Sequence, residues 1–116
     1  KRYKIEISTY LKGNEDILNN KEQLVIYRVI QESLSNIVKH TETDKAELKL
    51  VIEKDEKIEV KIKDFGQGFD LKEVGNKGDS YGLETMKERV KGISGELKID
   101  SKPGQGTEVK VIIAKN

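Results

Sequence analysis

The chain has 116 residues, the length of one domain with one core. Its 22 basic and 21 acidic residues are interleaved along the sequence, which argues against a basic stripe for duplex nucleic acid and so against nucleic acid as a partner. It has no cysteine, hence no disulfide framework and no thiolate metal site; this fits a reducing, cytoplasmic compartment.

No apolar run approaches the roughly 18 residues of a membrane span, and Lys1-Arg2-Tyr3-Lys4 leads into a strand pattern rather than a signal peptide. Tyr3, Ile5, Ile7 and Thr9 alternate with Lys4, Glu6 and Ser8, predicting a half-buried strand. Residues 11–21 read as loop. From about Asn20 to Thr41, Leu24, Tyr27, Ile30, Leu34, Ile37 and Val38 recur at three and four, predicting the main helix and its core stripe. Ala46, Leu48, Leu50 and Ile52 then alternate with charged residues, as do Ile58, Val60 and Ile62, and the two runs form a hairpin across residues 54–57. Residues 70–81 lose periodicity and carry Gly75, Asn76, Gly78, Asp79 and Ser80, predicting a mobile lid. Leu83, Met86, Val90 and Ile93 mark a second helix. A last hairpin sets Leu97 and Ile99 against Val109, Val111 and Ile113 across Lys102-Pro103-Gly104-Gln105-Gly106. Each strand is apolar on one side only. The prediction is therefore a single-domain, two-layer α/β sandwich: a mixed, mainly antiparallel sheet with helices on one face.

Strand parity turns Asp64 inward with Ile58, Val60 and Ile62, where an ionised carboxylate costs several kcal/mol unless a donor meets it. Gly66 and Gly68 follow within four residues and let the backbone turn sharply beside a flat ligand. A buried acceptor beside open backbone points to a nucleobase pocket; an ordinary turn capped by the carboxylate is the alternative. On the main helix, a step of about 100° per residue gathers Arg28, Glu32, Asn36, Lys39 and His40 into one polar sector. Val25 and Val29 share that sector, so it meets another surface as well as solvent. Asn36 is a poor mid-helix residue whose neutral oxygen suits Mg²⁺, an ion that takes its other ligands from phosphates and water. Gly82 and Leu83 stand at the start of the second helix, where unpaired amides can receive an anion. Thr107 faces inward by parity and requires a partner. His40 ends the main helix, an ordinary place for an imidazole.

Taken in order, Gln31-Glu32-Ser33-Leu34-Ser35-Asn36-Ile37-Val38-Lys39-His40, Asp64-Phe65-Gly66-Gln67-Gly68-Phe69, Gly82-Leu83-Glu84-Thr85-Met86-Lys87-Glu88-Arg89-Val90 and Ser101-Lys102-Pro103-Gly104-Gln105-Gly106-Thr107 resemble the ATP-binding domain of bacterial sensor histidine kinases. The second-helix segment is similar to the nitrate-sensor and degradation-sensor subgroup, within the wider gyrase, chaperone, kinase and mismatch-repair ATPase fold of Bergerat type. The resemblance implies that Asp64 accepts from the adenine amino group, with Thr107 and a water completing recognition, and that Gly66 and Gly68 form the floor beside the base and the hinge of the lid. It implies that Asn36 ligates Mg²⁺, that Lys39 offsets phosphate charge, that Gly82 and Leu83 open the helix receiving the phosphates, and that Glu32 orients metal-bound water or the acceptor. Other branches carry more glycine where this chain has Asp79, Ser80 and Tyr81, and a glycine pair where it has Ser94-Gly95.

The implied activity is phosphoryl transfer from Mg-ATP to a histidine on a separate dimerisation domain, then onward to a response regulator, with the isolated domain monomeric and inactive alone and the full-length protein a homodimer. Membrane anchoring of a parent protein is left open. Two alternatives stand beside this: a serine kinase of the anti-sigma type or water-activating ATPase on the same fold, and an interaction domain that has lost nucleotide. Eukaryotic-type kinases, which share the Asp-Phe-Gly triplet, are excluded by size and by the lack of their other signature segments.

Overall fold

A computed structural model of the chain describes residues 6–41, 43–53, 57–68, 70 and 82–114, the side chains of Glu15, His40 and Thr41 apart. Strand β1 (Glu6–Lys12) leads through a single 3₁₀ turn (Glu15–Ile17) into helix α1 (Asn20–Asn36), which widens into a π turn over Ile37–Thr41. Strands β2 (Lys45–Ile52) and β3 (Lys57–Asp64), helix α2 (Leu83–Lys91) and strands β4 (Gly95–Ser101) and β5 (Thr107–Ala114) follow. The lid predicted over residues 70–81 lies, apart from Asp70, outside the described residues, as do Tyr3, Ile5 and Phe69.

The five strands form one sheet in the order β1-β2-β3-β5-β4, with β1 and β2 parallel and every other neighbour antiparallel. The parallel pair arises because the connection between β1 and β2 is a helix rather than a turn. Both helices lie on one face, α1 against β3 and α2 against β4. Alternation decides which side chains they cover: Ile58, Val60, Ile62, Val109, Val111 and Ile113 are at most 5% exposed and make the floor of the core. The mixed α/β sandwich read from the sequence is the fold found.

Two details differ from expectation. Every residue of β1 is exposed, Leu11 to 60%, because no described element covers this edge of the sheet; the strand also runs through Leu11 and Lys12, which the sequence reading placed in a loop. Helix α1 keeps the later part of the predicted stripe on the core, with Ile37 buried and Ile30 and Leu34 packed against it, but turns the earlier part, Leu24 and Tyr27, to solvent. Its N-terminus is fastened by a capping box, the Asn19 side chain accepting from the Glu22 N–H at 2.8 Å and the Glu22 carboxylate from the Asn19 N–H at 2.9 Å. From there the buried residues are Val25, Ile26, Val29, Ser33 and Asn36, while Leu24 and Tyr27 are 53% and 58% exposed. The helix has two candidate stripes, and the one carrying Ser33 and Asn36 faces inward because a pocket lies beneath those polar groups.

Neighbouring substitutions separate the two stripes. Ile26→Ala is expected to lower unfolding free energy in urea by about 2–5 kcal/mol, as for other buried isoleucines, and Tyr27→Ala by less than about 0.5 kcal/mol. Equal losses would restore the predicted stripe.

The uncovered face of the sheet is charged. Lys49, Lys61, Lys110 and Lys98 stand directly opposite one another across β2, β3, β5 and β4. Lys110 approaches Glu59 and Glu108 at 4.0 and 3.9 Å, and Lys98 approaches Glu96 at 3.9 Å, pairs worth little in water. Among the described residues no helix is long and apolar enough to cross a membrane.

Candidate functional site

Asp64 ends β3 on its inward parity and is 1% exposed. The chain turns at once, so that the Gly66 N–H donates to Asp64 Oδ1 at 2.8 Å. The second oxygen, Oδ2, is buried without a hydrogen-bond partner among the described residues. Burial pushes the carboxyl above the ordinary aspartate range, against the pull of the Gly66 N–H and, from beyond hydrogen-bonding geometry, of the Thr107 amide and hydroxyl. A buried acceptor of this kind normally has a donor. Here the oxygen points to one that a ligand would bring.

The backbone around Asp64 is interlocked with the β4–β5 turn. The Gly104 N–H donates to the Gln67 carbonyl at 2.5 Å. Gly106, at φ +77°, lies so close under Asp64 that a Cβ would fall 2.4 Å from the Asp64 carbonyl oxygen. Gly68, at φ +65°, is wedged likewise against the Lys102 and Gly106 carbonyls. Its place is therefore the joint between two loops, a more specific role than a floor left open for a base. Ser101 Oγ donates to the Gly106 carbonyl at 3.2 Å and lies 2.8 Å from Thr107 Oγ1. Either hydroxyl of this pair can be the donor, and the Thr107 oxygen keeps lone pairs for accepting.

A narrow slot lies here, lined by Asp64 and Ile62 of β3, Thr107 and Val109 of β5, Ser33 and Asn36 of α1, Ile37, and Leu83 at the start of α2. Three of the predicted residues, Asn36, Asp64 and Thr107, thus come together from three elements, and Leu83 joins them. Two carboxylate or hydroxyl acceptors at one end of an otherwise largely apolar slot suit a flat ring bearing an exocyclic amine.

Glu32 and Gly82 meet elsewhere on the seam between the helices. A second, wider hollow is lined by Arg28, Gln31 and Glu32 of α1 and by Gly82, Thr85, Met86 and Arg89 around α2. Gly82 is the N-cap at φ +69° and packs against the Glu32 carboxylate: a Cβ would lie 2.4 Å from Glu32 Oε1. Among the described residues no side chain caps this helix. Ser33 Oγ meets Met86 Sδ at 3.9 Å between the two hollows, and Glu32–Ser33 and Gly82–Leu83 each contribute one residue to either side, so the hollows share one seam. Lys39 lies exposed on the π turn and lines neither.

Sequence reasoning singled out neither Ser33 nor Gly106 and assigned no charge role to Arg28 and Arg89. The Ser33 and Gly106 roles depend on contacts between elements distant in sequence. Arg28 carried a local signal, four residues before Glu32 on the same helix face, whereas Arg89, six residues beyond Leu83, had none.

Comparison with known proteins agrees with this arrangement. Residues 21–116 match the family model described as histidine kinase-, DNA gyrase B-, and HSP90-like ATPase. The chain is 44% identical over 90 residues to the signal transduction histidine-protein kinase/phosphatase DegS of Bacillus subtilis, covering 77% of this chain and 23% of that protein. It is 36% identical over 107 residues to the B. subtilis sensor histidine kinase LiaS, covering 92% and 27%, and 32% identical over 109 residues to the oxygen sensor histidine kinase NreB of Staphylococcus carnosus, covering 94% and 31%. The chain thus spans about a quarter of the length of these relatives. The fold is that of the histidine kinase domain of the Erythrobacter litoralis EL346 blue-light activated histidine kinase, with a TM-score of 0.74 at 21% identity over 97% of this chain and 52% of that one. With its sheet, seam and inward carboxylate in these positions, the chain belongs to the histidine kinase-, DNA gyrase B- and HSP90-like ATPases, beside the DegS- and NreB-like sensor kinases.

Proposed function

We propose that this chain binds Mg-ATP and presents its γ-phosphate to a histidine carried on another segment of a longer sensor kinase, which then passes the phosphoryl group to a response regulator. The observation that carries the reading is Asp64 Oδ2, buried and unpaired in a slot whose other polar wall is Thr107. The adenine amino group supplies the missing donor, and Thr107 accepts the second amino proton directly or through a water. The triphosphate runs along the helix seam into the larger hollow, where Arg28 and Arg89 neutralise charge and the uncapped start of α2 at Gly82 and Leu83 faces the anion.

Magnesium fits the donor set. Among the described residues no cluster of three His, Cys, Asp or Glu is placed to hold a metal. An ion that travels with the triphosphate needs one or two protein oxygens only, and the Asn36 amide in the pocket wall, with Glu32 one turn earlier, provides them. Phosphoryl transfer depends on positioning and charge neutralisation, so the chain alone holds nucleotide yet transfers nothing until a histidine comes within reach.

Base selectivity tests the reading. Guanine presents a carbonyl where adenine presents the amino group, and a carbonyl facing Asp64 sets acceptor against acceptor. Calorimetric titration is expected to give binding of ATP and ADP and at least ~100-fold weaker binding of GTP. Equal affinities for ATP and GTP would overturn the assignment of Asp64.

A further inference from the structure

The two edges of the sheet are not alike. Strand β4 places Glu96, Lys98 and Asp100 along its outward face and packs against α2. Strand β1 is open: all seven residues are exposed, no described helix makes more than slight contact with it, and the run Ile7-Ser8-Thr9-Tyr10-Leu11 contains no charge and no proline. Natural edge strands usually carry a device against pairing, and a flat, uncharged, β-prone edge lacks one. Ile7 and Leu11 on the helix side are 41% and 60% exposed.

The free edge has a definite hydrogen-bonding face. The Glu6 N–H donates to the Asp44 carbonyl at 2.7 Å, so Glu6 and, by the alternation of a parallel ladder, Ser8, Tyr10 and Lys12 turn their backbone groups toward β2. Ile7, Thr9 and Leu11 turn theirs outward. An antiparallel partner must therefore take its hydrogen-bonded pairs from these three positions.

The sequence of β1 is complementary to its own reverse about Thr9. Antiparallel pairing of two copies centred there sets Thr9 against Thr9, Ile7 against Leu11 and Leu11 against Ile7 as the hydrogen-bonded pairs. Ser8 then faces Tyr10, and Glu6 faces Lys12, at the closer, non-hydrogen-bonded positions. Each type of residue meets a suitable one: aliphatic with aliphatic on the helix side, hydroxyl with hydroxyl on the open side, acid with base at both ends. A symmetric register of this kind is what a two-fold, self-complementary interface requires. The pairing about Thr9 is also a register in which all outward backbone groups of Ile7, Thr9 and Leu11 find partners.

We infer that β1 is a self-association edge, through which two copies of this chain join their sheets into one ten-stranded sheet by antiparallel β1–β1 pairing centred on Thr9. This differs from the expectation of a monomeric isolated domain, and the experiment below decides between the two. The inference is independent of the nucleotide reading, because the pocket lies on β3 and β5, beyond β2 from this edge. A contact made by one seven-residue strand is small, so the association is a weak one of the micromolar-to-millimolar class.

Sedimentation equilibrium of the 116-residue chain tests it. The weight-average mass is expected to rise from 13.2 kDa toward twice that value with concentration. Glu6→Lys sets lysine against Lys12 at both ends of the pair, and Lys12→Glu sets glutamate against Glu6; each single variant is expected to weaken association at least tenfold. The double variant restores opposite charges and is expected to regain wild-type association. Both side chains are exposed, and unchanged thermal melts show that the variants are folded. A wild type that stays monomeric at millimolar concentration, single variants that associate as before, or a double variant that fails to recover would each overturn the inference.

Discussion

Asp64→Asn is expected to abolish measurable ATP binding while leaving the unliganded protein at least as stable at neutral pH. The substitution turns the unpaired carboxylate oxygen into an amide NH₂, so a donor now faces the adenine amino group and a hydrogen bond to a charged acceptor is lost. Such a bond is worth about 1.5–3 kcal/mol, and the opposed donors add to its loss, giving a reduction of ~100-fold or more. Without ligand the balance reverses, because the wild type buries a carboxylate that, among the described residues, only the Gly66 N–H satisfies by a hydrogen bond. Linkage gives the sign. In the unfolded chain this carboxyl titrates near ~3.9, and in the folded chain burial holds it higher. Between the two values the folded form keeps a proton that the unfolded form has released. The group's contribution to stability is thus fully present below the unfolded value and is lost as pH rises through the raised one. Thermal melts of wild type and Asp64→Asn between acid and neutral pH, read as a difference, are expected to show that fall in the wild type only. A variant that binds ATP normally would remove Asp64 from the site, and a flat difference curve would remove the strained carboxylate.

Gly106→Ala is expected to be the most destabilising single methyl in the turn that supports the site. Position 106 sits at φ +77°, and an added Cβ would overlap the Asp64 carbonyl oxygen at 2.4 Å and press on Phe65 Cα at 3.3 Å. Neither strand can retreat easily, since Gly68 holds the same two loops together from the other side. Left-handed strain and overpacking together amount to about 2–5 kcal/mol. Gly104→Ala is the control: its φ is +82°, but nothing lies within 4 Å of the added carbon, so only the conformational strain of about 1–2 kcal/mol remains. Denaturant titrations that rank the two equally would show that the contact under Asp64 does not carry the turn.

What could be read in the sequence was whatever repeats at a short, fixed interval. The inward parity of Asp64 and Thr107 followed from strand alternation alone, and both side chains are buried as that parity requires. The early part of α1 was misread for a physical reason. Leu24 and Tyr27 make as good an apolar stripe as Val25, Ile26 and Val29, and periodicity cannot choose between them. The choice is made by partners far along the chain: Met86 of α2 packing on Ser33, and the pocket floor of Ile62 and Val109 under Asn36. The glycines divide along the same line. That Gly66 and Gly68 permit a turn was evident locally, whereas the need for Gly106 under Asp64 and for Gly82 beside Glu32 exists only once distant segments meet.

The line of lysines across the outer face bears on how the sheet is aligned. Sliding β3 by two residues along β2 would keep the inward apolar side chains inward and would set Lys49 opposite Glu59 and Lys61 opposite Glu47, but it would also move Lys63 from Glu47 to Lys45, so one lysine pair would replace another. That slipped arrangement would also carry Asp64 past the end of β2, to a position opposite Asp44. In the arrangement adopted, Asp64 lies opposite Ala46, the smallest inward side chain of that strand, which leaves space above the carboxylate. Each alignment leaves one lysine pair on the solvent-facing side, so exposed charge hardly separates them, and the seat of the acid over a small neighbour is what distinguishes the one adopted.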